Sequence, residues 1–393
     1  MKGSETMSTS MTKGNPLKLM LQFALPLLIG NLLQQTYNII DAAIVGQILG
    51  AKALASVGAS SSVQFLVLGF CMGCCTGFGV PVAKYFGAEK MDTMRNYVFN
   101  GAVLTGGIGV TVTILCSVFC PQILHLLSVP EDIFRGAYHY LLIIFLGMPF
   151  TLLYNYLSSI LRSVGDSRTP FLFLGFSAVL NIFLDLFFIL VADWGCAGAA
   201  FATIAAQAIS GILCLIVIIR RMEVLWLSKE NRVVRGDSIT ELLQMGLPTG
   251  LQFSITAIGS MVMQSANNGL GGDYVSAFTA GAKLKQFTMC PFDAIATSVS
   301  VFCSQNYGAG KKKRMDRVLV DCMILSVIVA VTLGGGANLF GPQLLHIYTT
   351  EADVIACGTE ILLYTTLTYF LCGIMDLIPG ALRGMGHSAV PMI

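Results

Sequence analysis

Two aspartates stand where a charge is costly. Asp41 lies in NIIDAAIVGQ, Asn38 to Gln47, inside an apolar run that begins at Leu17, and Asp185 lies in a second such run ahead of Asp193. A charged side chain in hydrocarbon costs roughly 2.5–3.5 kcal/mol on insertion scales, so such a residue normally faces a cavity or a partner. Asp41 is nine residues from a turn centred near Gly50; Asp185 is eight residues before, and Thr203 ten residues after, a turn near Asp193. With a helical rise of about 1.5 Å per residue, all three lie about 12–15 Å below the same face. Asn181 is one turn from Asp185 on the same helix face, and Tyr37 and Asn38 are one turn from Asp41. Two carboxylates, an amide and a hydroxyl at one depth suit a small hard cation or an exchangeable proton. Sodium takes such oxygens by analogy with other hard ions, and a proton is held by a buried carboxylate beside a like-charged neighbour. The plainer reading, that each aspartate bonds a nearby backbone or polar group, does not explain equal depth on separate helices.

The elements that must position these residues are membrane helices. The 393 residues are 55% hydrophobic and 11% charged, with mean hydropathy +0.76, a composition of polytopic membrane proteins and not of soluble domains. Apolar runs of about 20 residues or more predict spans near 17–48, 53–82, 97–120, 133–160, 170–191, 196–220, 238–265, 275–303, 318–340 and 353–380. Two-residue alternation in short segments is absent, which argues against a transmembrane barrel. Met1 to Asn15 is polar and the first span is too long for a signal core, so it reads as a retained first helix. Nearly all of the 23 Lys and Arg fall beside loops on one side; the opposite loops hold only Lys52 and Arg135, while Lys283 and Lys285 lie within the eighth span. The positive-inside rule then predicts a cytoplasmic N-terminus. The basic clusters orient helices, and no nucleic-acid partner is expected. The twelve cysteines mostly lie inside helices, Cys71, Cys74 and Cys75 among them, and no pair shows zinc-finger spacing with histidines. They read as small packing residues, and no metal is expected beyond sodium at the aspartates.

The chain repeats itself. PQILH (Pro121 to His125) recurs as PQLLH (Pro342 to His346), FGAEK (Phe86 to Lys90) as YGAGK (Tyr307 to Lys311), and LRSVGDS (Leu161 to Ser167) as LRGMGHS (Leu382 to Ser388), each at an offset of 221; ALP (Ala24 to Pro26) recurs as GLP (Gly246 to Pro248) at 222. A constant offset marks a duplication. Each copy holds an even number of spans, so the halves run in the same direction, the parallel-repeat arrangement of some secondary transporters. The expected fold is therefore all-α and polytopic: an N-terminal lobe over 1–222, a charged linker over 223–237 and a C-terminal lobe over 238–393, the second copy truncated after about ten helices in total.

Pro26 followed by YNIIDAAIVGQ, FGAEK with the downstream Arg95 and its copy YGAGK, and LRSVGDSRTP with its copy LRGMGHS together resemble the multidrug and toxic compound extrusion (MATE) family over nearly the whole chain. The resemblance implies a two-lobed antiporter. It implies the prokaryotic pattern of a cation site in the N-terminal lobe, whose roles fall on Asp41, Asn181, Asp185 and Thr203, with Tyr37 beside them, and a first helix that bends at Pro26 when the ion binds. Pro26 itself removes a backbone hydrogen bond and permits a kink; static packing is the alternative. The sequence also departs from the family. A branch with a carboxylate in the seventh helix finds here only Gln252, Ser254 and Thr256, and the repeat position of Asp41 is Met263. The C-terminal lobe instead carries Asp293 and Asp376. Lys285 and Asp293, about 12 Å apart along one helix face, form a candidate cavity pair, unless Lys283 or Lys285 snorkels toward the headgroups.

The expected activity is export of an organic, cationic drug or toxin in exchange for sodium ions or protons, by a monomer in the bacterial inner membrane, whose partners are the small substrate and the bilayer and which needs no organic cofactor. A lipid-linked-oligosaccharide flippase of the same superfamily would want a strongly cationic cavity, and few Lys or Arg lie within spans. An inactive truncated fragment is a further alternative. An enzyme is not expected: there is no HExxH, no nucleophile with a credible base, and the four histidines lie near predicted helix ends.

Overall fold

A computed structural model describes residues 8–127, 129–268, 272–346 and 351–392. Among these every regular element is helical, the form that lets a chain satisfy its own backbone in lipid. In order they are α1 (Pro16–Ile44), α2 (Ala51–Gly87), α3 (Met91–Val118), α4 (Cys120–Leu126), α5 (Glu131–Leu146), α6 (Met148–Ser163), α7 (Arg168–Leu186), α8 (Gly195–Arg221), α9 (Gly236–Asn268), α10 (Gly272–Gly308), α11 (Lys312–Leu339), α12 (Gly341–Leu345), α13 (Ala352–Leu367) and α14 (Tyr369–Gly384). Seven helices are long and apolar enough to cross a membrane, or nine if each bent pair counts as one span, among the described residues. All ten predicted spans appear as helices. Two are broken: the fourth divides into α5 and α6, bent by 48°, and the tenth into α13 and α14, bent by 47°. Pro149, next to the Gly147 break, has no N–H to continue the α5 ladder. α9 is 33 residues long, yet it is absent from the apolar set; Gln252, Ser254, Thr256 and Ser260 make it the more polar helix. α2 and α10 outrun their predicted ends and close at Gly87 and Gly308.

Eight helices precede the 223–235 linker and six follow it, here called the N-terminal and C-terminal halves by chain order alone, and the first helix of each group packs across to the other. α1 lies against α7 and against α10, while α9 packs chiefly on α2. At the α2–α9 crossing a side chain on Gly73 would sit 2.7 Å from the Gly250 Cα, so the backbones touch. Nearer the end that carries the chain start and the linker, Gly87 lies against the backbone of Gln305, and Gly308 against that of Lys84. Ser304 Oγ donates to Val80 O at 2.7 Å across the same seam. Lys84 pairs with Glu241 at 2.8 Å, and the hydroxyl of Tyr97 donates to the same carboxylate. Along α2 and α10 burial is nearly continuous over 71–83 and 292–306, except at Asp293, and gives way to partial exposure over 52–62 and 283–289. The halves are thus sealed at the linker end and parted toward the other. Exposed apolar rows such as Leu172, Phe176, Val179 and Phe183 of α7 form the outer, lipid-compatible surface.

Candidate cation-binding site

Three helices from the N-terminal half carry the predicted site. α1 begins at Asn15, whose side chain accepts from Lys18 N at 3.2 Å, with Pro16 in the first turn. It runs through Pro26 without a break and brings Tyr37 and Asp41 to its last two turns. α7 is capped by Asp166, which accepts from the backbone of Arg168 and Thr169 at 3.0 Å each, and it carries Asn181 and Asp185. α8 supplies Thr203. Just beyond each aspartate the helix widens into a π-helical turn, Val45–Leu49 after Asp41 and Phe187–Val191 after Asp185, a feature frequent at functional sites.

The structure brings these residues together. Asn181 and Asp185 are fully buried, while Asp41 and Thr203 are half-buried. With its nitrogen turned toward the carboxylate, the Asn181 amide donates to Asp185 Oδ2 at 2.9 Å, and its oxygen accepts from the Thr203 backbone N–H at 3.1 Å. Thr203 Oγ1 donates to Ala199 O at 3.1 Å, leaving its lone pairs on the site side. The carboxyl groups of Asp41 and Asp185 face each other within hydrogen-bonding reach, and the Tyr37 hydroxyl faces Thr203. Oδ1 of Asp41 and Oδ1 of Asp185 are both buried and accept no hydrogen bond. Unit charges about 4 Å apart repel by about 4 kcal/mol at an effective dielectric of about 20, so two facing carboxylates need a positive charge between them. The two carboxylates, each with an orphaned oxygen, and the Thr203 hydroxyl fit a sodium ion or a proton, and the Asn181 amide orients Asp185 between them.

Sequence reasoning missed two neighbours. Tyr140 of α5 is buried within electrostatic reach of Asp41, Asp185 and Tyr37, and its hydroxyl faces Gln64 of α2. Gln64 lies in a predicted span and was a usable signal, as a polar residue at mid-helix; Tyr140 gave none, since YHYLL reads as an ordinary aromatic entry to a span.

In the C-terminal half Lys285 and Asp293 both lie on α10, but the structure makes no ion pair between them. Asp293 is within electrostatic reach of Asp376 and Arg383 of α14, while Lys285 is a neighbour of Asp376. Asp293 is exposed, between buried neighbours on α10. A separate cavity of about 480 Å³ at the linker end is lined by Lys84, Glu241, Tyr307 and His387, among others, well away from the aspartates.

The MatE family model matches residues 26–187 and 248–393. The chain is 31% identical over 375 residues to "Probable multidrug resistance protein YpnP" of Bacillus subtilis, covering 95% of this chain and 84% of that protein. It is 28% identical to "Probable multidrug resistance protein NorM" of Thermotoga maritima, covering 96% and 82%. A solved structure titled as the outward-facing conformation of a multidrug resistance MATE family transporter of the MOP superfamily superposes with a TM-score of 0.92 at 20% identity, over 100% of this chain and 87% of that one. On these matches, which span both halves of an all-helical multi-pass membrane protein, the chain belongs to the MATE family of multidrug efflux transporters, a family of transporters and not of enzymes.

Proposed function

We propose that the protein is a secondary antiporter that exports organic cations in exchange for sodium ions or protons, and that Asp41, Asp185, Asn181, Thr203 and Tyr37 hold the coupling cation. The observation that carries this reading is the pair of facing carboxylates with a buried, unbonded oxygen on each. In an apolar setting that pair favours a bound cation, and what it stabilises changes when the ion leaves. Ion and substrate exchange for one another if they compete at the site or favour different arrangements of the halves. The parted end admits the ion; its binding disfavours the cationic substrate, which leaves the same way, and the halves then rock to open the linker end. Pro26 supplies the weak point in α1 for that motion.

The same reading places the linker end in the cytoplasm of a bacterium and the protein as a monomer in the inner membrane. It divides the chain into parallel repeats over 1–222 and 238–393 with a linker between. Lys285, Asp293 and Asp376 then line the C-terminal wall of the substrate cavity.

The test is uptake of a fluorescent cationic dye into everted vesicles under a sodium gradient or a proton gradient alone. One gradient should drive accumulation, and Asp41→Asn should reduce it at least about tenfold, as expected for loss of one charge partner, at unchanged protein level. Wild-type uptake by Asp41→Asn sinks the assignment, and no uptake by the wild type under either gradient sinks the transport reading.

A further inference from the structure

The residues ahead of α1 lie across the seam between the halves at the linker end. Met11 is 1% exposed and shares a cluster with Phe302, Met315 and Val318 of α10 and α11. Its N–H donates to Gln305 Oε1 at 2.8 Å, and its carbonyl accepts from Asn306 Nδ2 and from Arg314 Nη2, both at 3.2 Å. Lys311 Nζ donates to Thr12 O at 2.8 Å, and Arg314 Nη1 to Gly14 O at 2.9 Å. All these donors and acceptors belong to the C-terminal half. On the other side, Thr9 N–H donates to Val164 O at 3.1 Å, just past α6 of the N-terminal half.

One side chain joins the three parts. Gln305 is fully buried; its oxygen holds Met11, and its nitrogen donates to Ser163 O at 2.8 Å in the last turn of α6. A buried amide satisfied at both ends is costly to part, because each separated group loses its partner. The linker ahead of α9 offers a contrast. It bonds one half: Asn96 Nδ2 donates to Asn231 O and Val233 O, and the Arg235 N–H donates to Asn100 Oδ1, all within reach of α3. The linker must cross between the halves to continue the chain. The N-terminal segment has no such obligation, yet its backbone is bonded to both.

We propose that residues 8–14 are a latch that holds the linker end shut, and that the segment must leave the groove between α6 and α10 before α2 and α10 can separate there. Gln305 is its bolt and Arg314 its clasp. The latch rests on the transport reading only for its purpose, since opening of this end is the step it would gate; whether it restrains the seam is a property of the folded protein.

Hydrogen–deuterium exchange of the purified full chain, without substrate, tests this. Gln305→Met keeps volume and removes both bonds, and Arg314→Ala removes the clasp at a partly exposed position that spares the core. Each variant should speed exchange about tenfold in peptides covering 8–20 and also in 80–90 of α2, which meets residue 305 through its backbone alone, and in 241–250 of α9, segments to which neither side chain makes a hydrogen bond, as expected when one cooperative opening is released. If 8–20 exchanges faster while 80–90 and 241–250 keep their wild-type rates, the segment is a passenger and the proposal fails. It fails equally if 8–20 is unchanged in both variants. Should Gln305→Met not fold, Arg314→Ala decides alone. Absence of dye uptake by the wild type would defeat the transport reading and leave the exchange result standing.

Discussion

Asp185 Oδ2 has a donor in Asn181, while Oδ1 of Asp185 and Oδ1 of Asp41 have none. That asymmetry sorts the residues by what their loss would do. Thr203→Val keeps shape and removes one oxygen; it should raise the ion concentration for half-maximal dye uptake by about tenfold, which is about 1.4 kcal/mol, with little change in the thermal midpoint. Asn181→Leu leaves a buried carboxylate oxygen without its donor, at about 1–3 kcal/mol, and should lower both uptake and the thermal midpoint measured in detergent. Equal sensitivity of both variants to melting would argue that the cluster is only structural. The two aspartates, the amide and the hydroxyl were legible in the sequence because helical rise turns distance from a loop into depth. Tyr140 and Gln64 were not, because depth says nothing about which helices lie side by side; their meeting with α1 and α7 is decided by long-range packing.

α1 passes through Pro26 as one helix, at the position where its ladder lacks a bond. Pro26→Ala restores the N–H and removes an interior-helix penalty of up to about 3 kcal/mol. The variant should melt higher and transport more slowly; transport at the wild-type rate would show that the proline only packs. α2 depends on having no side chains where α9 and α10 cross it. Gly308→Ala would drive a methyl into the Lys84 backbone, and overpacking of this kind costs about 1–3 kcal/mol, read as a lower thermal midpoint. Cys71, Cys74 and Cys75 of α2 read from the sequence as small packing residues, and Gly77 one turn on meets the Met245 backbone. The bends at Gly147 and Thr368 escaped notice, because hydropathy runs unbroken across both and apolar pattern carries no information on helix direction.

Across the whole molecule the two halves meet at the linker end and part toward the other. The Lys84–Glu241 pair bridges them where both side chains are about a third exposed, 32% and 27%, so it contributes within the range of about 0–1 kcal/mol typical of surface pairs. Lys84→Glu should therefore weaken transport mainly by placing like charges across the seam, and adding Glu241→Lys should recover most of the loss in vesicle uptake. Failure of the double exchange to recover would assign Glu241 to Tyr85 and Tyr97 instead. The repeated peptides at a fixed offset predict a duplication, but they could not show that the first helix on each side of the linker is lodged against the second helix on the other side. Two chains that trade their opening segments in this way would be called a swapped dimer. Here the trade is made within one polypeptide, so neither half owns a finished interior. Cut at the linker and produced separately, each piece should be degraded; produced together, they should find one another and reassemble without the covalent join.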